Sequence, residues 1–270
     1  MFEVGDRLKG FLHIKDVYYA PEIMRRDPGY DVVYYFFCRE SYPGAQEYAT
    51  AVIDLNRDEE AMLRSFRDST RKAIRRMLRD EALVIEIEET PTKEQVDGFL
   101  EKYDDFTRAK GFEPSERQRV YQLLAHHRIG MVTAWYEGRI LLQRILIEDT
   151  EKVLPYFGFT ERLNETEAHR IQLISAVSKT VEYRCMLFWK EKGKHLYDLG
   201  GLLPADGELS WQQVNHYKEG FHGEILKEYE FCYPLTWKGR LLCIFKKWQN
   251  WNQKRREGIS YVTWKAGFHH

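Results

Sequence analysis

Apolar and polar residues follow the periods of strands and helices along most of the chain. Runs rich in β-branched and aromatic residues predict strands over residues 31–37, 48–55, 82–88, 130–136, 139–148, 152–160, 195–199 and 229–234. Apolar residues at helical spacing predict helices over residues 57–80, 92–106, 115–124, 178–192, 211–221 and 236–256. Apart from its single strand, the segment 1–47 is predicted to be irregular.

Local signals place several helix starts and turns. Helix starts are predicted at two capping boxes and at one pair of hydroxyl residues, namely Thr92 with Gln95, Ser115 with Gln118, and Ser69 or Thr70. Glu137-Gly138 and Asp149-Thr150 predict turns that join three consecutive strands into a meander. A three-strand meander between helix pairs predicts an α/β fold of mixed α+β type, with a central mixed sheet and helices on both faces.

Composition excludes several classes of protein. Among 270 residues, 41 Lys and Arg against 42 Asp and Glu give a formal net charge of −1, so the whole chain has no field that favours nucleic acid or an anionic membrane. The longest apolar run, Val32–Cys38, is far shorter than the ~20 residues that span a bilayer. The first residues lack a secretory signal. We therefore expect a soluble, cytoplasmic protein.

The cysteines and the common catalytic motifs indicate no metal or nucleotide site. The four cysteines are scattered in apolar surroundings, which predicts buried free thiols and no metal centre. No Walker loop, Gly-x-Ser-x-Gly elbow or Gly-x-Gly-x-x-Gly motif is present. The most easily recognised nucleotidases, hydrolases and dinucleotide-binding enzymes are therefore excluded.

Two neighbouring segments resemble a known family. Residues 188–201 contain Lys-Gly followed by a strand that ends in Tyr-Asp-Leu-Gly-Gly, and residues 214–223 contain Tyr-Lys-Glu-Gly-Phe-His-Gly. Together they resemble the signature of the FemABX-like branch of the GNAT acyltransferases, whose order of elements also matches the predicted one. Residues 66–76, with the run Ser-Thr-Arg-Lys-Ala-Ile-Arg-Arg, are similar to the basic helix of that family. The resemblance covers residues 50–234.

The resemblance implies an acyltransferase with a single GNAT-like copy. Residues 56–245 would form the transferase domain, and residues 246–270 a basic, Trp-rich tail. Residues 1–55 would be an extension that could be a remnant of the second copy usual in the family. Family members transfer an amino acid from aminoacyl-tRNA to an amine of a peptidoglycan precursor. With one copy only, the acceptor stays open among amines on sugar-, peptide- or phosphate-bearing molecules, in cell-envelope or polysaccharide biosynthesis.

The same resemblance assigns catalytic roles to Lys218 and Asp198. Acyl transfer to an amine needs a cation or donors near the tetrahedral oxyanion, and the ammonium of Lys218 could supply this charge. Asp198, at the end of a strand, could accept the proton of the amine or orient Lys218. The alternatives are a solvated helix lysine and an aspartate that caps a turn. Residues beside this pair are expected to line the substrate site: Tyr197, Gly200, Gly201 and Tyr217.

Basic residues suggest contacts with a phosphate. Lys179, near the predicted start of the helix 178–192, would oppose the helix dipole unless an anion lies close. We therefore expect Lys179, with Arg170, to contact a phosphate of the donor or acceptor. Arg71 and Arg75 recur on one helix face with Arg79, as a phosphate-binding stripe or as a solvated face.

The identity of the acyl donor stays open between aminoacyl-tRNA and acyl-CoA, and no permanently bound cofactor is expected. The stretch Leu163–Tyr183 contains no glycine, so the close backbone cradle that holds the pyrophosphate of coenzyme A is not predicted. This favours aminoacyl-tRNA, whereas the single copy and the near-neutral net charge favour acyl-CoA or a smaller donor. The alternative function is a non-catalytic module that binds RNA or a protein through its basic surfaces.

Overall fold

A computed structural model describes residues 1–23, 27–110, 114–202 and 209–245. The strands are β1 (Phe2–Lys9), β2 (Leu12–Tyr18), β3 (Val32–Cys38), β4 (Gln46–Asp54), β5 (Leu83–Glu88), β6 (Ile129–Tyr136), β7 (Arg139–Glu148), β8 (Lys152–Thr160), β9 (Leu196–Gly201) and β10 (Glu224–Pro234). The helices are α1 (Glu59–Ser65), α2 (Asp68–Met77), α3 (Lys93–Ala109), α4 (Arg117–Ala125), α5 (Ala168–Glu191), α6 (Leu209–Glu219) and α7 (237–245), with a 3₁₀ turn at Glu161–Asn164.

The chain divides into two compact units. Among the described residues, the first unit consists of Met1–Thr50, Gly201–Gln212 and 225–245, and the second of Ala51–Gly200 and Gln213–Glu224. The chain therefore changes units inside β4, at the end of β9, inside α6 and at the start of β10. The predicted boundaries after residues 55 and 245 stay predictions.

In the second unit, β5, β6, β7 and β8 form an antiparallel series, and β9 joins β8 in parallel orientation. Helix α5 packs on this sheet and against α2, and α3 contacts β8. The packing is close enough that a β-carbon at Gly130 would lie 2.7 Å from the Trp189 ring. Because parallel and antiparallel pairs occur in one sheet with packed helices, the predicted mixed α/β class is confirmed.

The first unit contains two strands that the sequence analysis missed. β1 and β2 form an antiparallel hairpin, β2 pairs with β3 in parallel, and β3 pairs with β10 antiparallel. The prediction of an irregular segment was therefore wrong. Charged residues interrupt the apolar period of β1, whereas β2 alternates for only four residues, Leu12 to Lys15, before it becomes fully buried.

Several helix starts differ from the predicted ones. Helix α5 begins at Ala168, ten residues before the predicted start at Ser178. Helix α2 follows Arg67, which supplies no side-chain cap, so Ser69 and Thr70 lie within the helix. Helix α4 has no capping box, because the Ser115 hydroxyl donates instead to Asp104 Oδ1 at 2.7 Å.

Other local predictions are confirmed. The capping box at the start of α3 is complete: Gln95 N–H donates to Thr92 Oγ1, and Thr92 N–H donates to Gln95 Oε1. The turn between β6 and β7 has positive φ at both Glu137 (50°) and Gly138 (76°), as expected of a tight hairpin.

The cysteines are only partly as expected. Cys38 and Cys185 are buried free thiols, as predicted. Cys232 on β10 and Cys243 on α7 form a disulfide, with Cα atoms 6.3 Å apart, so the expectation of four free thiols was wrong. No helix among the described residues is long and apolar enough to cross a membrane.

Candidate functional site

Strands β8 and β9 separate shortly after they meet. Their parallel register covers two residue pairs, Lys152 with Leu196 and Val153 with Tyr197, although β8 continues to Thr160 and β9 to Gly201. Because no further ladder pair joins the two strands among the described residues, we infer that their facing edges separate beyond Val153 and Tyr197. The carboxyl ends of parallel strands commonly border a ligand crevice. The opening between β8 and β9 is therefore the candidate substrate-binding site of this unit.

Three side chains from three elements meet at a buried carboxylate of a fourth element beside this opening. Glu182 of α5 forms an ion pair with Arg144 of β7. The Tyr197 hydroxyl of β9 donates to Glu182 Oε2 at 2.5 Å, and the Tyr217 hydroxyl of α6 donates to Glu182 Oε1 at 3.3 Å. We call this set the Glu182 cluster. It fixes β7, α5, β9 and α6 to one another through a single charged group.

The electrostatics of the Glu182 cluster keep its donors protonated. Burial and the adjacent Glu182 carboxylate raise the pKa values of the Tyr197 and Tyr217 hydroxyls well above the usual value. Burial alone would lower the pKa of Arg144, but the Glu182 charge, Tyr217 and Tyr197 together outweigh it and raise the pKa. The cluster therefore consists of one carboxylate, one guanidinium and two neutral hydroxyls.

A glycine allows Arg144 to reach this position. Arg144 pairs with Gly158 across β7 and β8, and its side chain lies over Gly158. A β-carbon at Gly158 would lie only 2.7 Å from Arg144 Cγ. The missing side chain at position 158 thus leaves the space that the guanidinium stem occupies on its way to Glu182.

Asp198 is held inside the protein at the end of β9. It is 1% exposed and forms an ion pair with Lys152 of β8, which is also buried. Its Oδ1 accepts the N–H of Gly200 at 2.8 Å, and Gly200 has a positive φ of 81°. Asp198 therefore does cap the following turn, as the alternative interpretation expected. Its ion pair with Lys152 lies at the point where β8 and β9 begin to separate.

Lys218 lies in the last turn of α6 and is 5% exposed. The alternative of a solvated helix lysine is therefore wrong. The chain after it is closely packed: a β-carbon at Gly220 would lie 2.6 Å from Thr70 Oγ1, and one at Gly223 would lie 2.9 Å from the Val52 carbonyl oxygen. The run 219–223 therefore fits closely against α2 and β4.

The arginine stripe on α2 is largely neutralised. Arg71 donates to Asp68 Oδ1 at 2.7 Å, and Arg75 donates to Glu60 Oε1 at 2.9 Å. Arg79 lies beyond the end of α2 at Met77, so the predicted three-residue helical stripe does not form.

Lys179 does not occupy the predicted helix start. It lies near the middle of α5, so the argument from the helix dipole was wrong. Arg170 lies in the first turn of α5, where it pairs with Glu165 at 2.7 Å. The Trp-rich tail 246–270 lies outside the described residues.

Sequence reasoning missed Arg144, Lys152 and Glu182. A signal for Glu182 was present, because it is an isolated acid within the apolar part of α5, and buried carboxylates are rare unless paired. Arg144 likewise interrupts an apolar strand. Neither position alone indicates its partner, since the two elements are far apart in sequence.

Comparison with solved structures relates this arrangement to a known fold. No family model matches the chain, and no curated protein does. The structure of FemX superposes with a TM-score of 0.54 and 13% sequence identity, covering 69% of this chain and 61% of FemX. The chain shares the fold of FemX. The resemblance to the FemABX-like branch of the GNAT acyltransferases is thus confirmed for the fold.

A second structure, that of L-PGS from Bacillus licheniformis, has a TM-score of 0.48 and 12% identity, covering 81% of this chain and 73% of that protein. Identities this low describe the fold alone. The chain also spans less than two thirds of FemX, so the activity and substrates of this protein are proposals.

Proposed function

We propose that this protein transfers an acyl or aminoacyl group from an activated donor to an amine. The observation that carries the proposal is the opening between β8 and β9, bordered by the ion pair of Asp198 with Lys152 and by the Glu182 cluster. Charged groups held in fixed positions and shielded from water are the means by which enzymes stabilise charge that develops during acyl transfer. The FemX fold supports this reading.

Lys218 would stabilise the oxyanion of the tetrahedral intermediate. A buried ammonium acts more strongly on a developing negative charge than a solvated one, because the surroundings screen it less. Asp198 would orient the attacking amine or accept its proton, while Lys152 holds the carboxylate in place. Tyr197 and Tyr217, both neutral, would border the substrate without adding charge.

The start of α5 favours a donor other than ordinary acetyl-CoA. The Glu165 carboxylate accepts the N–H groups of Thr166 and Glu167, each at 3.0 Å. These two N–H groups directly precede the first turn of α5, so the Glu165 carboxylate places a negative charge beside the helix start. A carboxylate already in this place, in a segment without glycine, disfavours a pyrophosphate there and supports an aminoacyl donor.

The test is transfer of a labelled group by the purified protein, with aminoacyl-tRNA and acyl-CoA tried separately against a panel of amines. We expect product from one donor class. We expect Lys218→Met to lower kcat about 10²- to 10³-fold, as for loss of an oxyanion donor.

Lys192→Met is the matched control, because it makes the same replacement outside the candidate site. Lys192 is the C-cap residue of α5 and pairs with Glu89. An inactive wild type with salt-sensitive RNA binding would instead support the non-catalytic module. Equal rates for Lys218→Met and the control would overturn the role of Lys218.

A further inference from the structure

Two arginines from distant segments converge on one face of α6. Arg67, just before α2, places Nη1 at 2.9 Å from His216 Nε2. Arg162, in the 3₁₀ turn, donates from Nη2 to Gln213 Oε1 at 3.5 Å. Because Gln213 and His216 are three residues apart, they lie one helical turn from each other on the same side of α6. The two guanidinium groups are therefore fixed at neighbouring positions along this face.

Each of these arginines has a partly buried lysine close to it. Burial, and then the nearby Arg67 charge, lower the pKa of Lys179. Burial and the nearby Arg162 charge lower the pKa of Lys110 in the same way. Lys110 also lies over the Phe106 ring, with Nζ 4.9 Å from the ring centroid. Lys179 with Arg67 and Lys110 with Arg162 thus form two like-charged pairs beside α6, and the two positive charges of each pair repel one another.

These lysines differ from the other cations on the helices. Arg71, Arg75 and Lys192 each form an ion pair with a carboxylate. Within residues 27–110, 114–202 and 209–245, neither Lys110 nor Lys179 forms an ion pair or a side-chain hydrogen bond. The Glu219 carboxylate, which is exposed, lies 3.7 Å from Arg67 Nη2 and 3.9 Å from His216 Nδ1. Positive charge in this place is under-compensated by the protein itself.

We infer that Arg67, Lys179, Arg162 and Lys110 form a binding surface for two neighbouring phosphate groups of a substrate. Two Arg–Lys pairs side by side suit a diphosphate or two consecutive phosphodiesters, because an arginine fork and a lysine together can contact one phosphate. The inference rests on the proposed function, because the phosphates would belong to a substrate of the transferase. Tyr217, next to His216 on α6, turns toward Glu182, so bound phosphates would lie beside the candidate transfer site.

The first test measures anion binding directly, by titration calorimetry of the full chain with inorganic pyrophosphate and with inorganic phosphate. We expect pyrophosphate to bind more tightly than phosphate. Lys179→Gln and Lys110→Gln should each weaken pyrophosphate binding about tenfold, as for loss of one charge-assisted hydrogen bond. Lys192→Gln, which removes the same charge from the far end of α5, should bind like the wild type.

Two results would overturn this inference. One is a wild type that does not bind pyrophosphate, and the other is equal affinity in all four proteins. Urea unfolding of each variant controls for folding, and Arg67→Lys provides a second variant that keeps the charge but removes the planar fork. Arg67→Lys should weaken binding less than Arg67→Gln does.

A second arm identifies the source of the phosphates and separates this inference from the proposed function. Coenzyme A, and an RNA hairpin with a single-stranded 3′ end of cytidine, cytidine and adenosine, are each added in competition with bound pyrophosphate. Competition by coenzyme A assigns the diphosphate of an acyl-CoA, and competition by the hairpin assigns phosphodiesters. A wild type that binds pyrophosphate but transfers no group from either donor would contradict the proposed transferase and still support the phosphate surface.

Discussion

The Glu182 carboxylate receives Arg144, Tyr197 and Tyr217 at a position where water has little access. Arg144 has 15% of its side chain exposed and Glu182 5%, so each charge depends on the other for most of its compensation. Removing one member of a buried ion pair costs more than the pair contributes, because it leaves the other charge unpaired. At the scale of single residues, Glu182 is therefore the position where the candidate site and the stability of the fold are most closely linked.

Replacement of Glu182 tests this dependence. Glu182→Ala should lower the free energy of unfolding by about 3–5 kcal/mol, because Arg144 stays buried without its partner. Tyr197→Phe, which removes one hydrogen bond to the same carboxylate, should cost about 1 kcal/mol. Urea unfolding measures both. Equal losses for the two variants would show that the ion pair is not the main contribution.

At the scale of elements, Asp104 joins the end of α3 to the start of α4. Its Oδ1 accepts the N–H of Ser115 at 2.9 Å and the Ser115 hydroxyl at 2.7 Å, and its Oδ2 accepts from Arg117 Nη2 at 2.6 Å. Burial alone would raise the pKa of Asp104, but the Ser115 hydrogen bonds and the Arg117 ion pair outweigh it and lower the pKa below the usual value. This carboxylate therefore holds Ser115 and Arg117 in place at the start of α4, which lacks a capping box.

The lowered pKa predicts how the stability of this junction changes with pH. The folded state holds Asp104 ionised more strongly than the unfolded chain does, so its contribution is complete above the unfolded pKa of about 3.9 and is lost as the pH falls through the lower folded pKa. Asp104→Asn should be less stable than the wild type by about 1–2 kcal/mol at pH 7. The difference should shrink below about pH 4.

Unfolding followed from pH 7 to pH 2.5, with Asp105→Asn as the control, measures this effect. Asp105 is exposed and pairs with Arg108 on the same helix, so its replacement should change stability little at any pH. A constant difference between Asp104→Asn and the wild type across the range would contradict the assignment.

Sequence patterns predicted the elements better than their junctions. The meander β6–β8, the capping box at Thr92 and the late strand β9 follow from short-range periods and turn chemistry, which the sequence carries directly. The start of α5 was missed because the polar residues between Ala168 and Ser175 hide its helical period. For the same reason Lys179 was wrongly predicted to lie near the start of the helix. Ser115 bonds a partner eleven residues away, which no local spacing reveals.

The candidate site was only half predictable for the same reason. The motif resemblance indicated Asp198, Tyr197 and Lys218, which all lie inside the described part of the second unit. Lys152 and Glu182 come from other segments and are found only when the fold brings them to β9. Residues that act through long-range pairing leave no spacing signal of their own.

At the scale of the whole molecule, the described part of the chain passes between its two units four times, after Thr50, Gly200, Gln212 and Glu224. The segment 213–224, which carries Tyr217 and Lys218, therefore has both its ends connected to the first unit. That unit also holds the disulfide between Cys232 and Cys243, while each unit contains one buried free thiol, Cys38 and Cys185.

The cysteines offer a test of the whole chain. Burial raises the pKa of Cys38 to about 12 and also raises that of Cys185, so neither thiol should react with a thiol reagent in the native protein. Protein purified without reductant and then denatured should expose two thiols, and reduction should increase the number to four. Four reactive thiols without reduction would contradict the disulfide.

Gly158 has a consequence for how this protein could vary. Because Arg144 occupies the volume that a side chain at position 158 would need, neither residue is free to change by itself. A methyl group at position 158 would displace the Arg144 side chain. A shorter residue at position 144 would leave a cavity over β8 and would leave the Glu182 carboxylate on α5 without its ion-pair partner. Positions 144, 158 and 182 are thus constrained to change together. A protein in which only one of the three residues has changed should be less stable than the protein with all three original residues or with all three replaced.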